Sequence, residues 1–201
     1  LLSVAADISA QPGADDRTIH STDDPHPKPT GYPIIALHQT TSVGKAEPAG
    51  LSGLPGLQYG YELAARGNTI IAPDYPTFGE YPCDPYDLGY ASMTMKGIIN
   101  HGRAVDLLLE MTGQPRAAAI GHSLGGHNAL FLAAFDDRIA ATVTSCGFTS
   151  LSAYNDGDIS NWSKDKYMPR IRTLFDCDPN RMPFEFSCLL TDFIFHKQMI
   201  Y

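Results

Sequence analysis

No apolar stretch in this 201-residue chain reaches the roughly 18 residues that a membrane-spanning helix needs, so no membrane partner is expected. Clusters of lysine and arginine are missing as well. Only 14 such residues stand against 22 acidic ones, for a formal net charge of −8, which argues against nucleic acid as a partner. The four cysteines, Cys83, Cys146, Cys177 and Cys188, show no C-x-x-C spacing and no metal pattern. They read either as free thiols or as one incidental disulfide. What remains is ordinary for a globular α/β protein: 43% hydrophobic and 18% charged residues, in a length suited to one domain or a large part of one.

The texture changes once along the chain. Residues 1–31 form a polar leader with Pro12, Pro25, Pro27 and Pro29 and only weak strand hints around residues 17–21. Its opening, Leu-Leu-Ser-Val-Ala-Ala, fits the stub of a signal peptide or the start of a fragment, and leaves cytoplasmic and secreted locations both open. From residue 32 onward short apolar runs alternate with helical patterns. Strands are expected at 33–38, 69–72, 116–121 and 140–146, the first being Pro-Ile-Ile-Ala-Leu-His, an apolar run suited to burial on both faces. Helices are expected at 57–66, stopped by Gly67, at 92–111, and at 124–134. In the long one Met95, Ile98, Gly102, Val105 and Leu109 recur at helical spacing and predict the stripe that packs on a sheet. Strand alternating with helix implies a parallel sheet covered on both faces, with ligands bound where the strands end. His38-Gln39, Asp74-Tyr75, Ser123 and Cys146-Gly147 all follow strands and share that edge.

One segment carries chemistry. Ala117 to Gly126 reads Ala-Ala-Ala-Ile-Gly-His-Ser-Leu-Gly-Gly, and Gly121-His122-Ser123-Leu124-Gly125 is a G-x-S-x-G match. A serine on a sharp strand-to-helix turn holds its Oγ in open space. The residues two before and two after must be small because the two backbones nearly touch there. A chance match in a glycine-rich chain is the alternative; the apolar strand before Ser123 and the Ala/Leu-rich helix after it argue against that.

On these residues the chain resembles the α/β-hydrolases. Within them it is similar to the dienelactone-hydrolase and acetyl-xylan-esterase-like group. The further spellings that carry the resemblance are Leu37-His38-Gln39-Thr40, Gly44 to Gly50 (Gly-Lys-Ala-Glu-Pro-Ala-Gly), Ala72 to Pro76 (Ala-Pro-Asp-Tyr-Pro) and Tyr167 to Arg170 (Tyr-Met-Pro-Arg), over roughly residues 32–186. The resemblance implies an α/β-hydrolase fold over 32–201, a mostly parallel sheet with helices on both faces. It orders the four strands second, first, third, fourth, with the elbow strand central. Members of the group carry extra strands before the position of Pro33, and further units past residue 186 that hold the triad acid and then its histidine. Residues 187–201 do not read as such a unit. A fold incomplete at its C-terminus, and at its N-terminus, is therefore expected.

The resemblance makes Ser123 the catalytic nucleophile. Its oxyanion hole would be the N–H of Leu124 and an N–H of the loop after the first strand, near Gln39. No histidine offers itself as base. His122 adjoins Ser123 but points elsewhere. His127 lies one helical turn on and is expected to pack beneath the elbow, while His38 is expected to anchor its loop. His101 reads as a surface or core-edge residue, His20 and His26 sit in the leader, and His196 is in the tail. Asp156 and Asp158 read as solvated turn carboxylates, and Asp74 as a holder of loop N–H groups. Tyr154, Trp162, Tyr167, Phe184 and Phe186 either line a substrate pocket or form the core of a cap. The function expected is hydrolysis of a small or carbohydrate-type carboxylic ester, with no cofactor and no metal. The competing expectation is a non-catalytic remnant or pseudo-hydrolase lacking the triad acid and histidine. Oligomeric state is left open.

Overall fold

The computed structural model describes residues 31–189. The weak strand hints at 17–21, the leader histidines and His196 lie outside them. Four strands, β1 (Pro33–Leu37), β2 (Thr69–Ile71), β3 (Ala117–His122) and β4 (Ile139–Ser145), form one sheet in the order β2-β1-β3-β4. Every pairing is parallel, with Ile35 opposite Ile71 and Ala119, and Ile120 opposite Val143. The connections are helices α1 (Tyr59–Ala64), α2 (Met93–Thr112) and α3 (Leu124–Phe135), and a short α4 (Arg170–Phe175) follows β4. The expected strands, strand order and elbow placement are all present.

Alternate residues of each strand feed different layers. Ile35, Leu37, Ile71, Ala119 and Ile139 pack under α2 and α3, against Val105, Leu108, Ala129 and Leu132. Ile34, Ala36, Ile70 and Ala72 pack under α1, with Tyr59 and Leu63. With helices on both sides, all of β1 is buried, which is why its five residues are uniformly apolar. Among the described residues β4 has only its α3 side covered: Ile139 is buried, while Ala141, Val143 and Ser145 are exposed.

The sheet-facing stripe of α2 keeps part of the expected one, with Val105 buried in the sheet core and Leu109 packed against it, and differs toward the N-terminus. Ser92 caps the helix by accepting the Met95 N–H at 3.0 Å, and Gly113 ends it at φ 66. The buried positions are Met93, Thr94, Gly97, His101, Ala104, Val105, Leu108 and Thr112; Met95 is 47% exposed. Apolarity alone misplaced the N-terminal part of the stripe, because there the helix turns Thr94, Gly97 and His101 inward rather than Met95. At Gly97 a Cβ would stand 2.7 Å from the Tyr75 ring, so the ring's packing on the backbone selects the face.

A third cluster covers α3 from outside. Phe131 and Leu130 meet Leu151, Ile159, Ile171 and Phe186 there, with Tyr154, Trp162 and Phe184 packed around them. Of the two roles open to the aromatic group, this layer takes the packing one. All four cysteines are free, and among the described residues no helix is long and apolar enough to cross a membrane.

Candidate active site

Ser123 sits between the end of β3 and the start of α3 with φ 50 and ψ −115. A non-glycine residue there stores about 1–3 kcal/mol of backbone strain that the surroundings must offset. They do so with hydrogen bonds on both sides. The Ser123 N–H donates to Ser145 O at 2.7 Å, and the His127 N–H donates to Ser123 O at 2.9 Å. Serine at a helix start ordinarily caps it, yet this hydroxyl makes no capping bond.

The glycines explain the tightness of the turn. A Cβ on Gly121 would lie 2.2 Å from the carbonyl carbon and oxygen of Gly125, and one on Gly125 would lie 1.8 Å from Leu37 O. On Gly147 it would meet Gly126 at 2.3 Å. Three backbone segments (the end of β1, the elbow, and the turn after β4) therefore touch with no room for side chains. That contact brings the loop after β1 beside the start of α3. Helix starts leave their first N–H groups unpaired, and Leu124, Gly125 and Gly126 donate to no described residue. The Gln39 N–H is unpaired in the same sense. The Gln39 side chain turns away and donates to Glu47 Oε1 at 3.2 Å, an oxygen that also takes the Leu54 N–H.

Each described histidine is committed elsewhere. His38 is buried; its Nδ1 donates to Gln39 O at 2.6 Å and its Nε2 accepts the Tyr75 N–H at 2.9 Å. A carbonyl partner on one side and an N–H on the other require the neutral Nδ1–H ring. Burial, the largest influence, lowers its pKa accordingly. His38 thus joins the loops after β1 and β2, as a loop anchor should. His122 points to the α1 side of the sheet and meets Ser145 Oγ at 3.0 Å. His127 is wholly buried, stacked on Trp162 at 4.9 Å and packed on Phe131 and Phe186, and burial lowers its pKa to about 3. His101 corrects the expectation: it is buried under α2 rather than at the surface, and desolvation again lowers its pKa to about 3.

Asp74 accepts the Lys45 N–H at 2.8 Å, the Lys45 Nζ at 2.6 Å and the Glu80 N–H at 3.1 Å. Asp156 and Asp158 are exposed, and Asp158 accepts the Ser160 N–H at 2.9 Å. Among the described residues no group of three His, Cys, Asp or Glu side chains is placed to hold a metal. A largely apolar cavity of about 540 Å³ opens between α2 and α3, lined by Met95, Ile98, Phe131 and Phe135, and does not include Ser123.

A parallel sheet with a strained, uncapped serine between a central strand and its helix defines a class of architecture, and sequence comparison agrees. A family model described as the alpha/beta hydrolase fold matches residues 50–176, and the chain belongs to that family. No curated protein matches it. Among solved structures, an acetyl xylan esterase from Paenibacillus sp. R4 is similar at 21% identity and TM-score 0.46, over 75% of this chain and 52% of that one. An epoxide hydrolase variant from Vigna radiata is similar at 22% identity and TM-score 0.39, over 58% of this chain and 32% of that one. The 2-hydroxy-6-oxo-6-phenylhexa-2,4-dienoate hydrolase of Rhodococcus sp. strain RHA1 is similar at 16% identity and TM-score 0.42, over 80% and 67%. The chain spans about a third of the length of the first solved structures it matches, 35% of one and 32% of the next.

Proposed function

We propose that this chain is a serine hydrolase acting on small or carbohydrate-type carboxylic esters, with Ser123 its nucleophile. The observation that supports it best is Ser123 itself, held at φ 50 with its hydroxyl left out of helix capping. In this reading Ser123 Oγ attacks the ester carbonyl and the N–H groups of Leu124 and of the loop at Gln39 hold the oxyanion. The alcohol leaves with a proton, and water then cleaves the acyl-enzyme. The spellings shared with the acetyl-xylan-esterase-like group support the substrate class. No cofactor takes part in these steps.

None of His38, His101, His122 and His127 hydrogen-bonds Ser123. Triad residues act as a unit, and loss of the base costs about 10⁴–10⁶ in turnover. We therefore expect the 201-residue chain to hydrolyse p-nitrophenyl acetate only slowly, at the level that oxyanion stabilisation and binding alone sustain. The same four histidines favour a second reading, a pseudo-hydrolase that binds without catalysis. A fluorophosphonate probe separates the two. Weak, slow covalent modification of Ser123, found by intact-mass and peptide analysis after long exposure and lost in Ser123→Ala, supports a nucleophile without its base; a chain left unmodified supports the pseudo-hydrolase. Equal modification of wild type and Ser123→Ala would falsify the assignment of Ser123.

A further inference from the structure

The loop after β1 and the start of α3 belong to different elements, and two N–H groups can hold one oxyanion only at a set separation. One side chain bonds to the first side and shares a buried cluster with the second. Tyr167, 127 residues from Thr40 in sequence, places its hydroxyl 2.9 Å from Thr40 Oγ1. Thr40 directly follows Gln39. The Tyr167 ring is buried in one cluster with Leu124, Tyr75 and Met93, and its centroid lies 5.9 Å from that of Trp162, the ring stacked on His127.

The segment around Tyr167 is itself pinned. Tyr75 donates its hydroxyl proton to Lys166 O at 3.1 Å, Tyr86 donates to Asp165 O, and the Thr94 N–H reaches Tyr167 O at 3.4 Å. Arg172 binds Ser163 O and Asp165. A hydroxyl carried on so fixed a backbone acts as a reference point for whatever it holds, and what it holds is the loop of the second donor.

We infer that Tyr167 is a positioning residue for the oxyanion site: its hydroxyl bond to Thr40 and its ring's place in the buried cluster that holds Leu124 set the spacing between the donors on the two elements. This inference rests on the reading of Ser123 as nucleophile. Tyr167 touches no reacting atom in this scheme and acts through Thr40.

The test uses the 201-residue chain and a fluorophosphonate probe, with modification followed by intact mass over a range of probe concentrations. In the measured step an O–P bond forms at Ser123 Oγ, the P–F bond breaks, fluoride leaves, and the hydroxyl proton passes to the buffer. Tyr167→Phe keeps the ring and removes the hydroxyl; Thr40→Val removes its partner. Each is expected to lower the limiting rate constant about tenfold, a fraction of the loss seen when an oxyanion donor is removed outright, with the half-saturating probe concentration unchanged. The double variant should be no slower than either single one, because both delete the same bond. Multiplicative losses, or a wild-type limiting rate in either folded single variant, would overturn the inference while modification confined to Ser123 left the nucleophile standing. Absence of modification in wild type, or its survival in Ser123→Ala, overturns both.

Discussion

Replacing Gly125 by alanine adds one methyl group at the point where α3 crosses the end of β1. That methyl would stand 1.8 Å from Leu37 O, 2.5 Å from Leu37 C and 2.8 Å from His38 O, all backbone atoms of a central strand and its exit. Ordinary contact begins near 3.4 Å, so helix and strand must part by about 1.5 Å. No rotamer change relieves a clash with backbone. The cost therefore falls at or above the top of the usual overpacking range, about 3 kcal/mol or more, against a total stability of about 5–15 kcal/mol. The same substitution at Gly102, in the middle of α2, meets only Asp136 Oδ2 at 3.9 Å. There the helix gains about 0.5–1 kcal/mol, because alanine loses less backbone freedom than glycine on folding. Urea unfolding followed by far-UV circular dichroism should thus move the two midpoints in opposite directions from wild type. Shifts of the same sign, or a Gly125→Ala midpoint within error of wild type, would refute the packing argument for the elbow.

Acid should weaken the fold through two buried rings. His101 and His127 both have pKa lowered to about 3 by burial, so each is neutral when folded and charges near pH 6.5 when unfolded. Their contribution is whole above pH 6.5 and declines toward pH 3 by about 1.4 kcal/mol per pH unit for each ring. At pH 5 these two rings should account for a loss of about 4 kcal/mol, to which His38 adds in the same direction, and His127→Phe should remove about 2 kcal/mol of it; a stability unchanged between pH 7 and pH 5 contradicts this account. Asp74→Asn leaves Lys45 Nζ without its buried partner and weakens two loop N–H bonds, so a loss of about 2–3 kcal/mol is expected in the same unfolding assay. Ser92→Ala removes the α2 cap and should cost about 1 kcal/mol, with no change in the rate at which Ser123 is modified.

Much of the fold was legible because its signals are local. β1 is apolar throughout since both its faces are covered, and Gly121 and Gly125 flank Ser123 since the turn excludes a Cβ. The strands after which His38, Asp74 and Ser123 fall could be counted from alternation alone, and a parallel sheet then brings them to one edge. The phase of α2 was legible only in part. Of the stripe Met95, Ile98, Gly102, Val105 and Leu109, Val105 is buried and Leu109 packs on the sheet core while Met95 is exposed, and only the seating of Tyr75 on Gly97 shows why His101 and Thr94 go inward. Nor could the sequence distinguish a pocket lining from a packed layer for Trp162 and Phe186, since both uses favour large aromatic side chains.

The sequence by itself determined the order of elements, the elbow and the candidate nucleophile, because each depends on residues within a turn or a strand of one another. Only the tertiary structure decided which histidines are spent on loops and packing, and that the Tyr167 hydroxyl meets the loop after β1. Those outcomes depend on pairs such as Tyr167 with Thr40 and His38 with Tyr75, brought within hydrogen-bonding distance by the stacking of layers, and no local pattern encodes the distance between residues so far apart along the chain.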